Sequence, residues 1–408
     1  MERQSMDVYV ARQPIFDRKK NIAAYELLFR DSMSNAFPDI DGDVATSKLL
    51  ARSFFNIGIE QLTGGKKAFI NFTEELLIKQ VPTMFPPEDV VVEILEDVSP
   101  GKEVEQACRQ IAKKGYVLAL DDFIFRDDLR ELVALADIIK VDFMLMPIDE
   151  IREMLTNLAE YDVEFLAEKI ETYDEYQRSR EMGFKYFQGY FFSKPEVLKS
   201  KDIAPSNISL LQLVAELSRE DCSLEKLEEM ITVDISVSYK LLRYINSAYF
   251  RRVQEITSIR QALVLLGENG IRQFVMLVTA AELAGEKPNE LIRASIIRAK
   301  FCELLGQAHG KGANPSELFL IGLFSMIDAM LDSSMDEIVG KLPFSETVKI
   351  ALVDKTGAPA DYLNLVMAYE TGSWDACREF CRKIAVAEDI LPGCYADAVG
   401  WADAYPVL

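Results

Sequence analysis

Eight short runs rich in β-branched and aromatic residues punctuate the first half of the chain: Val8–Ala11, Ile22–Phe29, Lys67–Phe72, Val90–Leu95, Tyr116–Leu120, Ile138–Val141, Glu164–Ala167 and Tyr186–Phe192. Amphipathic stretches of helical period, such as Ala45–Gly58 and Glu103–Lys114, separate most of them. Strands that alternate with helices must cross over between neighbours, which builds a mainly parallel sheet. About eight such units within ~200 residues predict an α/β fold closed as a TIM-like (β/α) barrel rather than an open sheet.

The pattern changes at Pro195. The polar segment Pro195–Asn207, which holds Pro195 and Pro205, reads as a linker and divides the chain into residues 1–200 and 201–408. Beyond it apolar residues recur at helical spacing. Val237, Leu241, Leu242 and Ile245 form one face, and Leu263, Leu266, Ile271 and Phe274 belong to others. Ser258 with Gln261 reads as a capping box. Asn314, Pro315 and Glu317 supply a cap, a first-turn proline and an N3 carboxylate. Strand signals are few here, so the second domain is expected to be all-α.

Charge and composition close off several kinds of chemistry. A formal net charge of −21 argues against a broad phosphate-neutralising face, so DNA is not an expected partner. A small anionic ligand needs only a local pocket and stays open. The single histidine, His309, rules out any mechanism built on a histidine cluster and is itself expected at a helix end or in a loop. What remains is carboxylates, amides, lysine and arginine. The six cysteines are scattered, and Cys377 and Cys381 share a helical face instead of forming a zinc knuckle. Free thiols in a reducing cytosol are expected. No apolar run approaches the roughly 18–20 uncharged residues of a membrane span. Met1–Val10 does not read as a signal peptide, so the expected location is cytoplasmic. The acidic run Asp39-Ile40-Asp41-Gly42-Asp43 reads as an exposed turn and not as a calcium loop.

In a βα barrel, functional side chains gather where strands end. Those positions carry an unusual set. Glu26 lies within the second strand, Asn71 near the end of the third, and Glu93 within the fourth, with Glu96 just beyond. Asp121 and Asp122 end the fifth, Lys140 and Asp142 close the sixth, Glu168 and Glu171 follow the seventh, and Gln188 sits on the eighth. Any one of these alone reads as a solvated loop charge, and the adjacent pair Asp121–Asp122 reads equally well either way. Together at one mouth the carboxylates would repel unless cations neutralised them. Hard divalent ions with oxygen ligands, Mg²⁺ or Mn²⁺, suit that donor set, and a pair of them could promote in-line attack on a phosphodiester.

These residues fall in motifs that resemble the EAL family of cyclic-di-GMP phosphodiesterases over roughly Val8 to Pro195. Arg12-Gln13-Pro14-Ile15 resembles the opening Q-P-I, and Glu26-Leu27-Leu28-Phe29-Arg30 stands where the family has E-A-L-L-R. Asn71 in Phe69-Ile70-Asn71-Phe72, Glu93-Ile94-Leu95-Glu96 for E-x-T-E, and Asp121-Asp122-Phe123 for D-D-F follow in order. Lys140-Val141-Asp142 matches K-x-D, Glu168-Lys169-Ile170-Glu171-Thr172 stands for E-G-V-E-T, and Gln188-Gly189-Tyr190 is intact. The resemblance implies a first metal on Glu26, Asn71, Glu93 and Asp121, and a second helped by Asp122 and Glu171. It implies Lys140 and Glu168 beside the attacking water, and Gln13, Arg30 and Gln188 touching the ligand. Glu96 would support the loop, and hydrolysis would open the cyclic dinucleotide to linear pGpG.

The departures bear on activity. After D-D-F the family has G-T-G-Y-S-S, a glycine-bearing loop, whereas this chain has Ile124-Phe125-Arg126-Asp127-Asp128-Leu129. Leu27, Leu95 and Lys169 replace the family's Ala, Thr and Gly. A loop that needs positive φ loses that freedom without glycine. The expectation is a degenerate barrel that binds metal or cyclic di-GMP with little or no hydrolysis. The alternatives are a slow phosphodiesterase, another metal-dependent phosphoester chemistry, and a nucleotide-independent scaffold.

The helical half resembles the HDOD domain, a relative of the HD phosphohydrolases. The segments that carry this run from Asp234 to Ser247 and from Ile256 to Ala262, with Leu266-Gly267 and Ile271-Arg272 after them. Where HD enzymes have G-L-L-H-D-I-G, this chain has Gly322-Leu323-Phe324-Ser325-Met326-Ile327-Asp328, so the metal-binding pair is replaced. The domain is therefore expected to be non-catalytic and to contact an unidentified protein partner. EAL barrels often pair, which makes a homodimer a further expectation.

Overall fold

The computed structural model describes residues 9–30, 59–193, 231, 235–246, 256, 258–285, 287–309, 313–340, 342 and 344–403. The expected helix Ala45–Gly58, the acidic turn Asp39–Asp43, the linker Pro195–Asn207 and Cys222 lie outside the described residues, as do the side chains of Arg30, Val237 and His309. Two compact units divide the chain, one of Met1–Phe192 with Glu370–Gly372, the other of Ser193–Tyr369 with Ser373–Leu408.

The first unit is a closed eight-stranded barrel in sequential order. Its strands are β1 (Tyr9–Asp17), β2 (Ile22–Arg30), β3 (Lys67–Phe72), β4 (Val90–Ile94), β5 (Val117–Leu120), β6 (Ile138–Asp142), β7 (Glu164–Glu168) and β8 (Tyr186–Gln188). From β2 to β8 neighbours pair in parallel. β1 runs antiparallel to both β2 and β8, because a short turn from Asp17 to Asn21 reverses the chain before any helix can form. The Asp17 carboxylate holds that turn by accepting from the backbone N–H of Lys19 and Asn21 at 2.7 and 2.9 Å. Helices described between the strands are α1 (Ile59–Thr63), α2 (Glu74–Ile78), α3 (Lys102–Lys113), α4 (Arg130–Val133), α5 (Ile148–Asn157) and α6 (Tyr173–Glu181).

Residues on a strand alternate between the two faces of the sheet, so positions two apart share a face. Ile15, Ala24, Phe69, Val91, Ala119, Ile138 and Leu166 form one apolar cluster, with Tyr186 packed against it. Two residues further along β2 to β8 come Glu26, Asn71, Glu93, Asp121, Lys140, Glu168 and Gln188. On the reversed β1 the corresponding step runs backwards, from Ile15 to Gln13. An apolar layer thus seals the barrel, and the next layer toward the C-terminal ends is polar in every strand.

The expected eighth run, Tyr186–Phe192, ends early. Gly189 has φ +145, and a Cβ on it would lie 2.1 Å from the Ile170 carbonyl oxygen. Ile170 N–H donates to Gln188 O at 3.0 Å and Phe191 N–H donates to Ile170 O at 3.0 Å. This close approach clamps the Gln188-Gly189-Tyr190 corner onto the segment that follows β7, and a 3₁₀ turn, Tyr190–Ser193, replaces the rest of the strand.

The second unit is helical throughout its described residues, as expected: α7 (Ile235–Ile245), α8 (Ile259–Ala284), α9 (Asn289–His309), α10 (Pro315–Phe324), α11 (Ile327–Leu331), α12 (Met335–Gly340), α13 (Glu346–Val353), α14 (Ala358–Glu370), α15 (Trp374–Lys383) and α16 (Leu391–Asp403). Leu241, Ile245, Leu263, Ile271 and Phe274 are buried. The Asn314 side chain caps α10 by accepting from Ser316 and Glu317 N–H. Ser258 accepts from Gln261 N–H at 3.3 Å, which is the half of its capping box that forms. His309 ends α9.

By length and composition alone α8 could cross a membrane, although the sequence shows no run of roughly 18–20 uncharged residues there. Its apolar window is 50% buried within the fold, and the non-helical Gly267 (φ 67°, ψ 177°) breaks it. Cys377 and Cys381 share the buried face of α15, and burial pushes both thiols up to about 12.

Gly189→Ala is expected to cost the barrel about 2 kcal/mol or more, because the new methyl must displace backbone. Gly115→Ala is its control, since φ there is +90° with nothing within 4 Å, and should cost only about 1 kcal/mol. Urea denaturation followed by circular dichroism measures both. Equal losses would remove the close contact as the reason for this glycine.

Candidate metal centre

The polar layer is organised around one lysine. Lys140 on β6 is fully buried, and its Nζ lies 2.6 Å from Glu93, 2.7 Å from Asp121, 2.9 Å from Glu168 and 3.8 Å from Glu26. Burial alone would push the ammonium toward deprotonation, but the carboxylates of Glu168, Glu26, Glu93 and Asp121 together hold its pKa well above the ordinary value. Four carboxylates against one buried cation leave an excess of negative charge. Burial drives the Glu93 carboxyl well above the usual range, with Lys140 opposing and Glu26 and Asp121 adding to the rise. The same causes carry Glu168 up to about 8. Without further positive charge, part of this ring must hold protons.

Amides complete the ring. Asn71 Nδ2 donates to Glu26 Oε1 at 3.3 Å, and Gln188 Nε2 donates to Glu26 Oε2 at 2.5 Å and to Gln13 Oε1 at 2.9 Å. Asp121 is pinned by its N–H to Ile94 O (2.9 Å), and Phe123 by its N–H to Lys140 O (3.1 Å), so the Asp-Asp step bridges β4 and β6. Asp122 takes a left-handed φ of 38° and turns its carboxylate beside Asp121. Burial, then Asp121, raises its pKa.

Of the expected site residues, the fold brings Gln13, Glu26, Asn71, Glu93, Asp121, Asp122, Lys140, Glu168 and Gln188 to one rim. Glu96 stands exposed in the turn after β4, and Glu171 is exposed between β7 and α6, its N–H bound to Glu175 Oε2 at 2.8 Å. Thr172, the last residue of that motif, closes a full capping box with Glu175 and so fixes the start of α6. Arg30 ends β2.

Two residues have roles the pattern alone did not reveal. Asp142 is buried and accepts from Met144 and Leu145 N–H at 2.7 and 3.1 Å, which folds the loop after β6. Lys169, next to Glu168, has φ +54° and sends its ammonium onto Asp142 and to 3.7 Å from Asp122. A left-handed conformation costs a lysine roughly 1 kcal/mol or more and a glycine nothing.

The loop after Phe123 also differs from its expected behaviour. No residue from Phe123 to Leu129 has positive φ, so none of them needs to be glycine. Arg126 grips Asp128 through two bonds of 3.0 and 2.8 Å, and Arg130 holds Asp127. The missing glycines are therefore accommodated by ion pairs on an exposed turn.

The donor set fits a divalent cation. Asn71 Oδ1, Glu93 Oε2, Asp122 Oδ1 and Glu168 Oε2 are buried with no hydrogen-bond partner among the described residues. All are hard oxygen donors, and such atoms are costly to bury unsatisfied. One oxygen from each of Asp121, Asp122 and Glu168 lies within 4.8 Å of the others. Glu26, Asn71, Glu93 and Asp121 could hold one ion, with Asp122 and Glu168 beside it.

A family model for the EAL domain matches residues 40–195, and one for the HDOD domain matches residues 204–335. The uncharacterized protein YuxH of Bacillus subtilis is 40% identical over 404 residues, covering 97% of this chain and 98% of its own. Cyclic di-GMP phosphodiesterase CdgJ of Vibrio cholerae is 38% identical over 379 residues, 92% of this chain and 88% of its own. Among solved structures, the calcium and cyclic-di-GMP complex of Klebsiella pneumoniae BlrP1 is 21% identical, covering 48% of this chain and 58% of that one at a TM-score of 0.38.

Two outcomes follow from the electrostatics. Lys140→Met should cost about 3–5 kcal/mol at about pH 8, where it strands buried carboxylates, and less at about pH 5, where they take up protons. Urea denaturation at both values tests this, and an equal loss at both would overturn it. Glu168 titrates at about 8 in the fold against an ordinary 4.5. Between those values the folded chain holds a proton that the unfolded chain has lost. Its stabilisation is therefore complete below about pH 4.5 and lost as pH rises through about 8. Relative to Glu168→Gln, the unmutated protein should lose stability over that window in metal-free buffer, and excess Mn²⁺ should remove the difference. A pH-independent difference would exclude this titration.

Proposed function

The chain belongs to the family that joins an EAL barrel to an HDOD domain, and from that premise we propose that it is a cyclic-di-GMP signalling protein. In this reading the barrel takes Mg²⁺ or Mn²⁺ together with the cyclic dinucleotide and hydrolyses it slowly or not at all. The observation that carries it is the ring of buried oxygens beside Lys140 that have no hydrogen-bond partner among the described residues, a donor set that a divalent cation would satisfy. When bound, the ion supplies charge for a phosphoryl oxygen and acidifies water.

The chain's own residues do the rest. Glu26, Asn71, Glu93 and Asp121 would hold the ion, and Asp122 and Glu171 are the acids at the position where a second ion would sit. Glu168, its pKa raised to about 8, holds a proton near neutral pH while the rim lacks added positive charge, and a bound cation would lower that pKa and free the carboxylate to accept a proton from an attacking water. Lys140 remains charged and offsets phosphate. Gln13, Arg30 and Gln188 are assigned to ligand contact, and Glu96, exposed, to loop support. Restraint on turnover is supported by Lys169, whose ammonium engages Asp142 and Asp122 where the family has glycine.

Full phosphodiesterase activity giving linear pGpG is the second reading. It is favoured by the identity to CdgJ across both halves and by a loop after Phe123 that needs no glycine. The HDOD half is assigned to protein contact. At the HD position Ser325 Oγ donates to its own helix at Gly322 O (2.7 Å) and accepts from Arg298, and Met326 is buried. Exposed Ile124, Met144 and Leu145 on the loops after β5 and β6 support pairing of two barrels.

Calorimetry with cyclic di-GMP, with and without Mn²⁺, plus chromatography of the mixture, separates these readings. Metal-dependent binding with slow or no appearance of linear dinucleotide is expected, and Glu93→Gln should weaken it at least about tenfold. Rapid conversion would establish the second reading, and no binding under either condition would leave a nucleotide-independent scaffold.

A further inference from the structure

We propose that Lys169 is a tethered cation that takes the place of a second divalent ion beside Asp122, so that this barrel holds one ion where its acidic set has room for two. The inference rests on the cation reading of the rim given above. It is carried by geometry. Asp121, Asp122 and Glu168 each bring an oxygen within 4.8 Å of the others, on the side of the ring away from Asn71 and Glu26 along the strand order. Lys169 follows Glu168 directly, and its Nζ sits 3.7 Å from Asp122 Oδ2 while bonded to Asp142 Oδ2. Asp142 is only 4% exposed at its side chain, so its carboxylate has little water to lean on, and the ammonium is the positive charge that meets it.

The backbone supports the same reading. Lys169 adopts φ +54°, a conformation that a glycine takes without strain and a lysine does not. That conformation turns the side chain back over the mouth toward Asp122 and Asp142. A covalently held ammonium differs from a divalent ion in two ways. It carries half the charge, and it acts by donating hydrogen bonds, so it has no coordination site at which a bound water would be acidified. It therefore balances the acidic rim without supplying a second Lewis acid, which specifies a one-ion site.

The test is the number of ions bound by the full-length chain, read from the electron paramagnetic resonance of free Mn²⁺ during titration. The unmutated protein and Lys169→Arg should each bind one Mn²⁺. Lys169→Met and Lys169→Gly should each bind two, and the added ion should vanish in the Lys169→Met, Asp122→Asn double variant. Lys169→Gly also relieves the backbone, so a folding defect in one variant does not remove the test. An equal non-zero count in the unmutated, Met and Gly forms overturns the assignment of Lys169 while leaving the cation reading intact. A count of zero in all of them overturns both.

Discussion

The ammonium of Lys140 inside the barrel is the interaction on which the site depends. Placing an uncompensated charge in an interior is among the most costly things a fold can do, and here one lysine with no solvent exposure is surrounded by carboxylates from β2, β4, β7 and the end of β5. Each of those strands needs the lysine, and the lysine needs most of them. The mutual dependence fixes the positions of the acids more tightly than apolar packing could, because a displaced carboxylate loses its partner and keeps its desolvation. It also leaves the ring short of positive charge, which is the condition for cation binding.

That ring exists because the layer beneath it is apolar. The plug from Ile15 to Leu166 excludes water from below, so the polar side chains one step above are open in only one direction. The reversed β1 brings Gln13 into the layer from the opposite chain direction, where it accepts from Gln188 and closes the circle beside Glu26. Gly189 and the capping box of Thr172 do the corresponding work outside the barrel. They lock the corner after β8 and the turn after β7, and so aim Gln188, Glu168 and Lys169.

The helical unit follows the same logic with a different outcome. Gly322 lets α10 meet α9 so closely that a Cβ would lie 2.6 Å from Ala299 Cα, which is the packing its glycine-leucine motif serves. The residues that follow close the helix end. Ser325 satisfies its own backbone and Arg298, and Asn246 bridges Leu242 and Ile256 through bonds of 2.8 Å.

Much of this was legible in the residues. Alternating β-rich runs and helical stretches carried the barrel, because crossover connections leave few other closed arrangements. The strand-end acids carried the candidate centre, because side-chain alternation has a fixed period of two. The replacement of the HD pair by Ser325 and Met326 was equally plain. Three features depended on tertiary structure alone. The antiparallel β1 follows from a short Asp17 turn rather than from composition. The exposure of Glu96 and Glu171 depends on where two turns leave the rim, which strand periodicity does not describe. The contact of Lys169 with Asp142 and Asp122 depends on a left-handed backbone and on partners 27 and 47 residues away in the chain. Local pattern determines which face a side chain joins; only closure of the barrel decides which charges then meet, since Coulomb interactions act through space and not along the sequence.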